Sequence, residues 1–223
     1  MKPRVSPGDR RLVLAAASRL LQYPDAELLD QLALLREAAE HLPASVGVPL
    51  RRFVDHLDAR PLLELQVEYV ATFDLRRRNC LYLTYHLNGD TRRRGMALWR
   101  FRQLFRERGY GVTASELPDF LPAILELAAE TAAADRGPVE LLAEHHAAIT
   151  VLRDALSEAG SPYADVVRAV EGVLPAPSRA LEAARRLEEE GPPAEQVGLE
   201  PSPAVERDGA DAAAPGAPSG GRL

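Results

Sequence analysis

Apolar residues recur along this chain at intervals of three and four and almost nowhere at two, so the pattern predicts helices and no sheet. Asp9 caps an expected helix over 10–22, where Leu12, Ala16 and Leu20 share a stripe with Val13 and Ala17 before Pro24 ends it. A second begins at Asp25 and aligns Leu28, Leu32, Leu35 and Ala39 before Pro43, and a third covers 50–57. A fourth follows Pro61 and carries Leu65, Tyr69 and Phe73 at spacing four. Residues 76–90 are less periodic and contain the turn signal Asn88-Gly89-Asp90. Thr91 reads as the N-cap of a long helix with Met96, Trp99 and Leu104 inward, and Gly109 stands just past its end. Asp119 reads as the N-cap of a helix carrying Leu121, Ile124, Leu125 and Ala128, with Pro122 at its third position, where a missing N–H costs nothing. Helices over 139–158 and 163–173 follow, then a weaker one over 178–190. About eight helices with short connections and no fixed-period repeat predict an all-α fold, a single helical-bundle domain over 9–190.

The ends differ from this pattern. Residues 191–223 hold 6 Pro, 6 Gly, 7 Ala and no aromatic residue, too little apolar area to offset the entropy of ordering, so a disordered tail is expected there. Residues 1–8, with Pro3, Pro7 and Gly8, are expected to be a loose N-terminus. They lack the apolar core of a secretion signal, and no run approaches the roughly 20 apolar residues of a membrane span. The single cysteine, Cys80, allows no internal disulfide, which suits a reducing compartment; a cytoplasmic protein with no direct membrane insertion is expected.

Charge narrows the function classes. The chain carries 27 basic and 33 acidic residues, a net −6 that disfavours a wholesale nucleic-acid coat. Between Arg76 and Arg108 the balance inverts: ten arginines (76, 77, 78, 92, 93, 94, 100, 102, 106 and 108) face only Asp90 and Glu107, giving +8 locally and −14 over the remainder. Such a cluster is either a solvated face with internal salt bridges or a surface for an acidic partner or phosphate. A nucleic-acid-binding regulator using these arginines is the alternative class, without the aromatic interleaving or helix-turn-helix glycine turn that would support it.

No GxxxxGK[ST], GxGxxG, GxSxG, HExxH or CxxC pattern occurs, and each of these encodes a local catalytic or binding geometry. His145 and His146 are helix neighbours about 100° apart, which cannot chelate together, and Glu37 with His41 fits an exposed pair better than a metal site. The sequence therefore points to a non-enzyme with no metal and no cofactor of its own.

The run Glu68-Tyr-Val-Ala-Thr-Phe-Asp74, then Leu81-Tyr-Leu83, then His86-Leu-Asn-Gly-Asp90-Thr-Arg-Arg-Arg-Gly95, then Glu116-Leu-Pro-Asp-Phe-Leu-Pro122, resembles the NarJ family. These are assembly chaperones of respiratory nitrate reductase, a branch of the TorD and DmsD type of redox-enzyme maturation proteins. The resemblance spans residue 10 to about 175 and is strongest over 66–130, with Thr84-Tyr85 departing from the family pattern before His86. It implies a TorD-like helical chaperone that binds the N-terminal segment of the nitrate reductase catalytic alpha subunit. Such a chaperone holds the apoenzyme for molybdenum cofactor insertion before membrane docking; a chaperone of another molybdoenzyme is the near alternative.

The residues carrying the family pattern are the expected client-peptide contacts: Glu68, Tyr69, Phe73, Asp74, His86, Asp90, Glu116, Leu117, Pro118, Asp119 and Leu121. Tyr69 and Phe73 offer adjacent rings as core or as groove floor, and Glu64, Glu68, Asp74, Glu116 and Asp119 would attract a basic peptide. The oligomeric state is left open.

Overall fold

The computed structural model describes residues 5–88, 92–111, 117–131 and 134–175. Asp90, Thr91, Glu116, the expected 178–190 helix and the 191–223 tail lie outside them. Among the described residues there are eleven α-helices and no strand; the only β-type pairing is an isolated bridge between Tyr82 and Phe120. The helices are α1 (Pro7–Leu20), α2 (Ala26–Asp30), α3 (Leu32–His41), α4 (Ala44–Asp58), α5 (Leu62–Tyr69), α6 (Leu83–Asn88), α7 (Arg92–Glu107), α8 (Leu121–Glu130), α9 (Gly137–Glu144), α10 (His146–Glu158) and α11 (Tyr163–Val173).

The all-α expectation holds, and three local events raise the helix number. The expected helix after Asp25 breaks at Gln31, the one over 139–158 breaks at His145, and the weakly periodic stretch after 76 contains α6. At the second break the His145 ring turns back, its Nδ1–H donating to the Leu141 carbonyl at 2.9 Å, and the buried imidazole packs edge-on to Phe101 at 4.8 Å between centroids.

α1 runs through the centre, packing on α8 and α11, while α4 packs on α3 and α11. Its start differs from expectation. Ser6 is the N-cap and Asp9 is the third helical residue, each side chain accepting from the other's backbone N–H at 3.0 Å in a reciprocal capping box. Two α1 arginines close the ends of neighbouring helices, Arg10 donating to the Val173 carbonyl at 3.0 Å and Arg11 to the Ala129 carbonyl at 2.9 Å. α3 and α4 approach so closely at Gly47 that a Cβ there would strike the Ala39 carbonyl oxygen.

One contiguous core runs from Val13 to Leu174. Its aromatic centre joins Phe53, Tyr69, Phe73 and Tyr163, with centroid separations of 4.7 to 6.0 Å. Burial drives the Tyr163 phenol far above its ordinary pKa, so it stays neutral. α7 lies over α6, seals Phe101 inward, and ends in the expected way at Gly109, whose φ of +80° lets the Tyr110 N–H reach the Phe105 carbonyl at 3.0 Å. Met96 and Trp99 do not point inward as expected: they stand on the opposite side of α7 from Phe101, which lies about 160° away from Trp99 and about 140° from Met96 in helical register by the 100° per residue of an α-helix, and are exposed.

Candidate functional site

The residues of the family pattern fall into two neighbouring places, one inside the molecule and one on its surface. The inner place is a clasp between the start of α6 and the segment before α8. Leu83 N–H donates to the Asp119 carbonyl at 3.1 Å and Leu121 N–H to the Leu81 carbonyl at 2.8 Å, the pair of bonds that makes the Tyr82–Phe120 bridge. The Asp119 side chain is fully buried, and its Oδ2 accepts from both Thr84 N–H at 3.0 Å and Thr84 Oγ1–H at 2.6 Å. Its Oδ1 is buried without a hydrogen-bond partner.

Asp119 is therefore not the N-cap expected from sequence. Phe120 occupies that position with no side-chain cap, and Pro122 is the second helical residue rather than the third. The carboxylate instead reaches across to the α6 N-terminus, where a negative charge is favourable. Sequence spacing offers no signal for a partner 35 residues away.

Around the clasp, Arg94 donates to Thr84 Oγ1 at 3.3 Å and lies 5.6 Å from the Tyr85 ring centre. His86 Nε2–H donates to the Cys80 carbonyl at 2.7 Å, with the Cys80 thiol 3.8 Å from the same nitrogen. That nitrogen is a donor, so it is not positioned to take the thiol proton. Burial pushes the Cys80 thiol up and, against the hydrogen bond to Cys80 and the charge of Asp119, pulls His86 below its ordinary range. A protonated thiol beside a neutral imidazole is an inert structural pair.

The surface place is the outer side of α5 and of the π turn Val70–Asp74 that continues it, where Leu75 N–H reaches back five residues to Val70 at 3.1 Å. Tyr69 and Phe73 point into the aromatic core from this segment, and the Tyr69 hydroxyl donates to the Leu21 carbonyl at 3.1 Å. Of the two roles open to these rings, they take core. The opposite side carries Leu63, Val67, Ala71 and Leu75 at spacing four, all exposed, the three large ones at 72%, 62% and 76%. In a plain α-helix such a row drifts by about 40° per step, and the wider turn takes up part of the drift. Glu64 and Asp74 flank the row in the open. Glu68, half-buried, accepts from His56 Nε2–H at 2.7 Å, while Arg60 donates to His56 Nδ1 at 2.8 Å.

Sequence reasoning missed this row because Leu65, Tyr69 and Phe73 had already supplied the inward face. The signal was there: a helix apolar on two faces has one more than its own core needs. The remaining expected contacts are dispersed. Leu117 is exposed, whereas Pro118 and Leu121 are buried within the clasp. Beyond Leu75 a shallow depression is lined by Arg76, Arg77, Arg78, Asn79 and Glu158, with Arg78 held 3.6 Å from Glu158. His41 turns its Nδ1–H to the Glu37 carbonyl at 2.8 Å rather than sharing a ligand geometry with the carboxylate. No helix among the described residues is long and apolar enough to cross a membrane.

The family model of the nitrate reductase delta subunit matches residues 39–169. The nitrate reductase-like protein NarX of Mycobacterium tuberculosis is 40% identical over 159 residues, 71% of this chain and 24% of that protein, so the chain spans about a quarter of that relative. The nitrate reductase molybdenum cofactor assembly chaperone NarJ of Bacillus subtilis is 31% identical over 170 residues, 74% of this chain and 90% of that protein. Its counterpart in Escherichia coli is 32% identical over 154 residues, 68% and 64% of the two chains. Among solved structures, a redox enzyme maturation protein from Archaeoglobus fulgidus shares the fold, with a TM-score of 0.54, 24% identity, and coverage of 74% of this chain and 93% of that one.

Proposed function

Because this chain belongs to the nitrate reductase delta subunit family, we propose that it is a non-enzymatic, cytoplasmic assembly chaperone for a respiratory nitrate reductase. In this reading it binds the N-terminal segment of the catalytic alpha subunit and holds the apoenzyme ready for molybdenum cofactor insertion. The observation that carries the reading is the exposed row of Leu63, Val67 and Leu75 between Glu64 and Asp74 on α5 and its π turn. An amphipathic helix with apolar residues at i, i+3 or i+4 and i+7 and basic residues at its edges matches this row in shape and charge. The segment 61–75 contains no Lys or Arg; the cations nearest along the chain are Arg60, which donates to His56, and Arg76, Arg77 and Arg78 beyond Leu75.

The clasp ties α6 to the segment before α8, while the aromatic core holds α5 from behind through Tyr69. Glu68 and Asp74 are the two expected contacts that lie at the row; Tyr69 and Phe73 anchor its segment in the core, and Asp119 and Leu121 belong to the clasp.

A synthetic peptide of roughly the first fifteen residues of the catalytic subunit tests the reading by calorimetry at several temperatures. Binding with a negative heat-capacity change is expected, because apolar area is buried. Leu63→Glu with Val67→Glu is expected to abolish binding without loss of helical circular dichroism. If the peptide fails to bind the wild-type chain while the full catalytic subunit binds, the contact lies elsewhere.

A further inference from the structure

Two exposed faces of this chain are chemically complementary. One is the row of Leu63, Val67 and Leu75 with Glu64 and Asp74. The other is the outward side of α7, where Met96 and Trp99, three residues apart, are 70% and 57% exposed. Arg102 and Arg106 follow Trp99 on the same side, three and seven residues on. Neighbouring arginines are tied down, Arg100 to Glu144 at 2.7 Å and Arg108 to Asp135 at 2.7 Å. Arg102 and Arg106 are exposed with no carboxylate among the described residues in ion-pair distance. Two arginines one turn apart repel each other unless an anion joins them, and Trp, Met and Arg are the residues enriched at the centres of protein contacts. α7 itself carries six arginines and one glutamate, +5, in a chain of net −6.

We propose that the α7 face docks on the α5 face of a second copy of this chain. Trp99 and Met96 cover the leucine and valine row, and Arg102 and Arg106 meet Glu64 and Asp74. Pairing α7 with α7 would bring two strongly cationic helices together, and pairing α5 with α5 would join two acidic rims. The crossed arrangement alone joins opposite charges. It is heterologous, so a pair of copies retains one unused α5 face and one unused α7 face, and assembly depends on concentration. The patches are small, which places the contact in the weak, transient class. The regulatory consequence rests on the proposed function: the client peptide and the second copy compete for one row, so free chaperone shields its apolar face and client binding dissolves the assembly.

Sedimentation of the full chain over a concentration series tests this. The weight-average mass is expected to rise above 24.3 kDa with concentration and to fall back when salt is added. Leu63→Glu with Val67→Glu removes one face and Arg102→Glu with Arg106→Glu the other; each variant alone is expected to remain monomeric. Mixed in equal amounts, they are expected to form a 1:1 dimer that grows no further, because each supplies the one intact face. Trp99 is the only tryptophan, so placing Trp99→Phe in the second variant makes the first variant's emission the reporter, with a blue shift expected on mixing. Circular dichroism checks both folds, and Leu75→Glu and Met96→Glu address the same faces should either pair fail to fold.

A wild-type chain that stays monomeric at every concentration overturns the proposal, as does a mixture that forms no dimer. A Trp99 shift on phosphatidylglycerol vesicles without self-association overturns it in favour of a lipid surface. If the client peptide binds a strictly monomeric chain, self-docking falls and the chaperone reading stands; if the chain self-associates and the peptide does not bind, the reverse holds.

Discussion

Asp119 has one oxygen satisfied twice by Thr84 and the other left unpaired in the interior, so its removal strands a backbone donor rather than freeing a surface charge. Asp119→Ala is expected to cost about 1–3 kcal/mol in urea unfolding, because the Thr84 N–H loses its acceptor. Asp119→Asn, whose amide oxygen still accepts, should cost less. His86 supplies a pH dependence. Its pKa is depressed by burial, so between the folded and unfolded values the unfolded chain binds the extra proton, and stability rises with pH there. Acidification from pH 7 through about 6.5, the ordinary histidine value, should therefore lower the melting temperature, and His86→Gln should lose less over the same range. The sequence made Asp119 conspicuous but gave its role wrongly, since a carboxylate before an apolar run is the ordinary signature of a cap. Thr84, which redirects it, lies 35 residues away, and its departure from the family pattern does not point to Asp119.

Helices were legible wherever one apolar stripe ran between chain-breaking residues, as in α1 before Pro24 and α11 between Pro162 and Pro175, and α8 by its stripe alone, since its expected cap is used elsewhere. The breaks at Gln31 and His145 were not, because the periodicity runs on through both and tertiary contact overrides it. Nor was the facing of α7: Met96 and Trp99 are apolar, yet Phe101, Leu104 and Phe105 already fill its inner side. The close crossing of α3 and α4 gives a prediction at this scale. Gly47→Ala forces a Cβ into the Ala39 carbonyl, backbone that has little freedom to yield, and should destabilise by about 1–3 kcal/mol in thermal or urea unfolding. Gly95→Ala, in open space on α7, should be neutral or slightly stabilising by the same measurement.

Across the whole molecule, the all-helical class and the family were readable because several motifs in order and a helical period agree, while the exposed α5 row was hidden by a second apolar face on the same segment. Deleting 191–223 is expected to leave the melting temperature unchanged, since that stretch offers almost nothing apolar to bury; a drop of several degrees would place it among the supports of the core. The π turn at 70–74 bears on how such a chain can evolve. The turn holds one residue more than an α turn, so one residue fewer there would close it to ordinary α geometry while the segments on either side keep their phase. A deletion within the regular turns of α5 has no such slack and turns its two sides by about 100° against each other, scrambling the inside and the outside together. The length of 62–69 should accordingly be held more tightly across descendants than the length of 70–74.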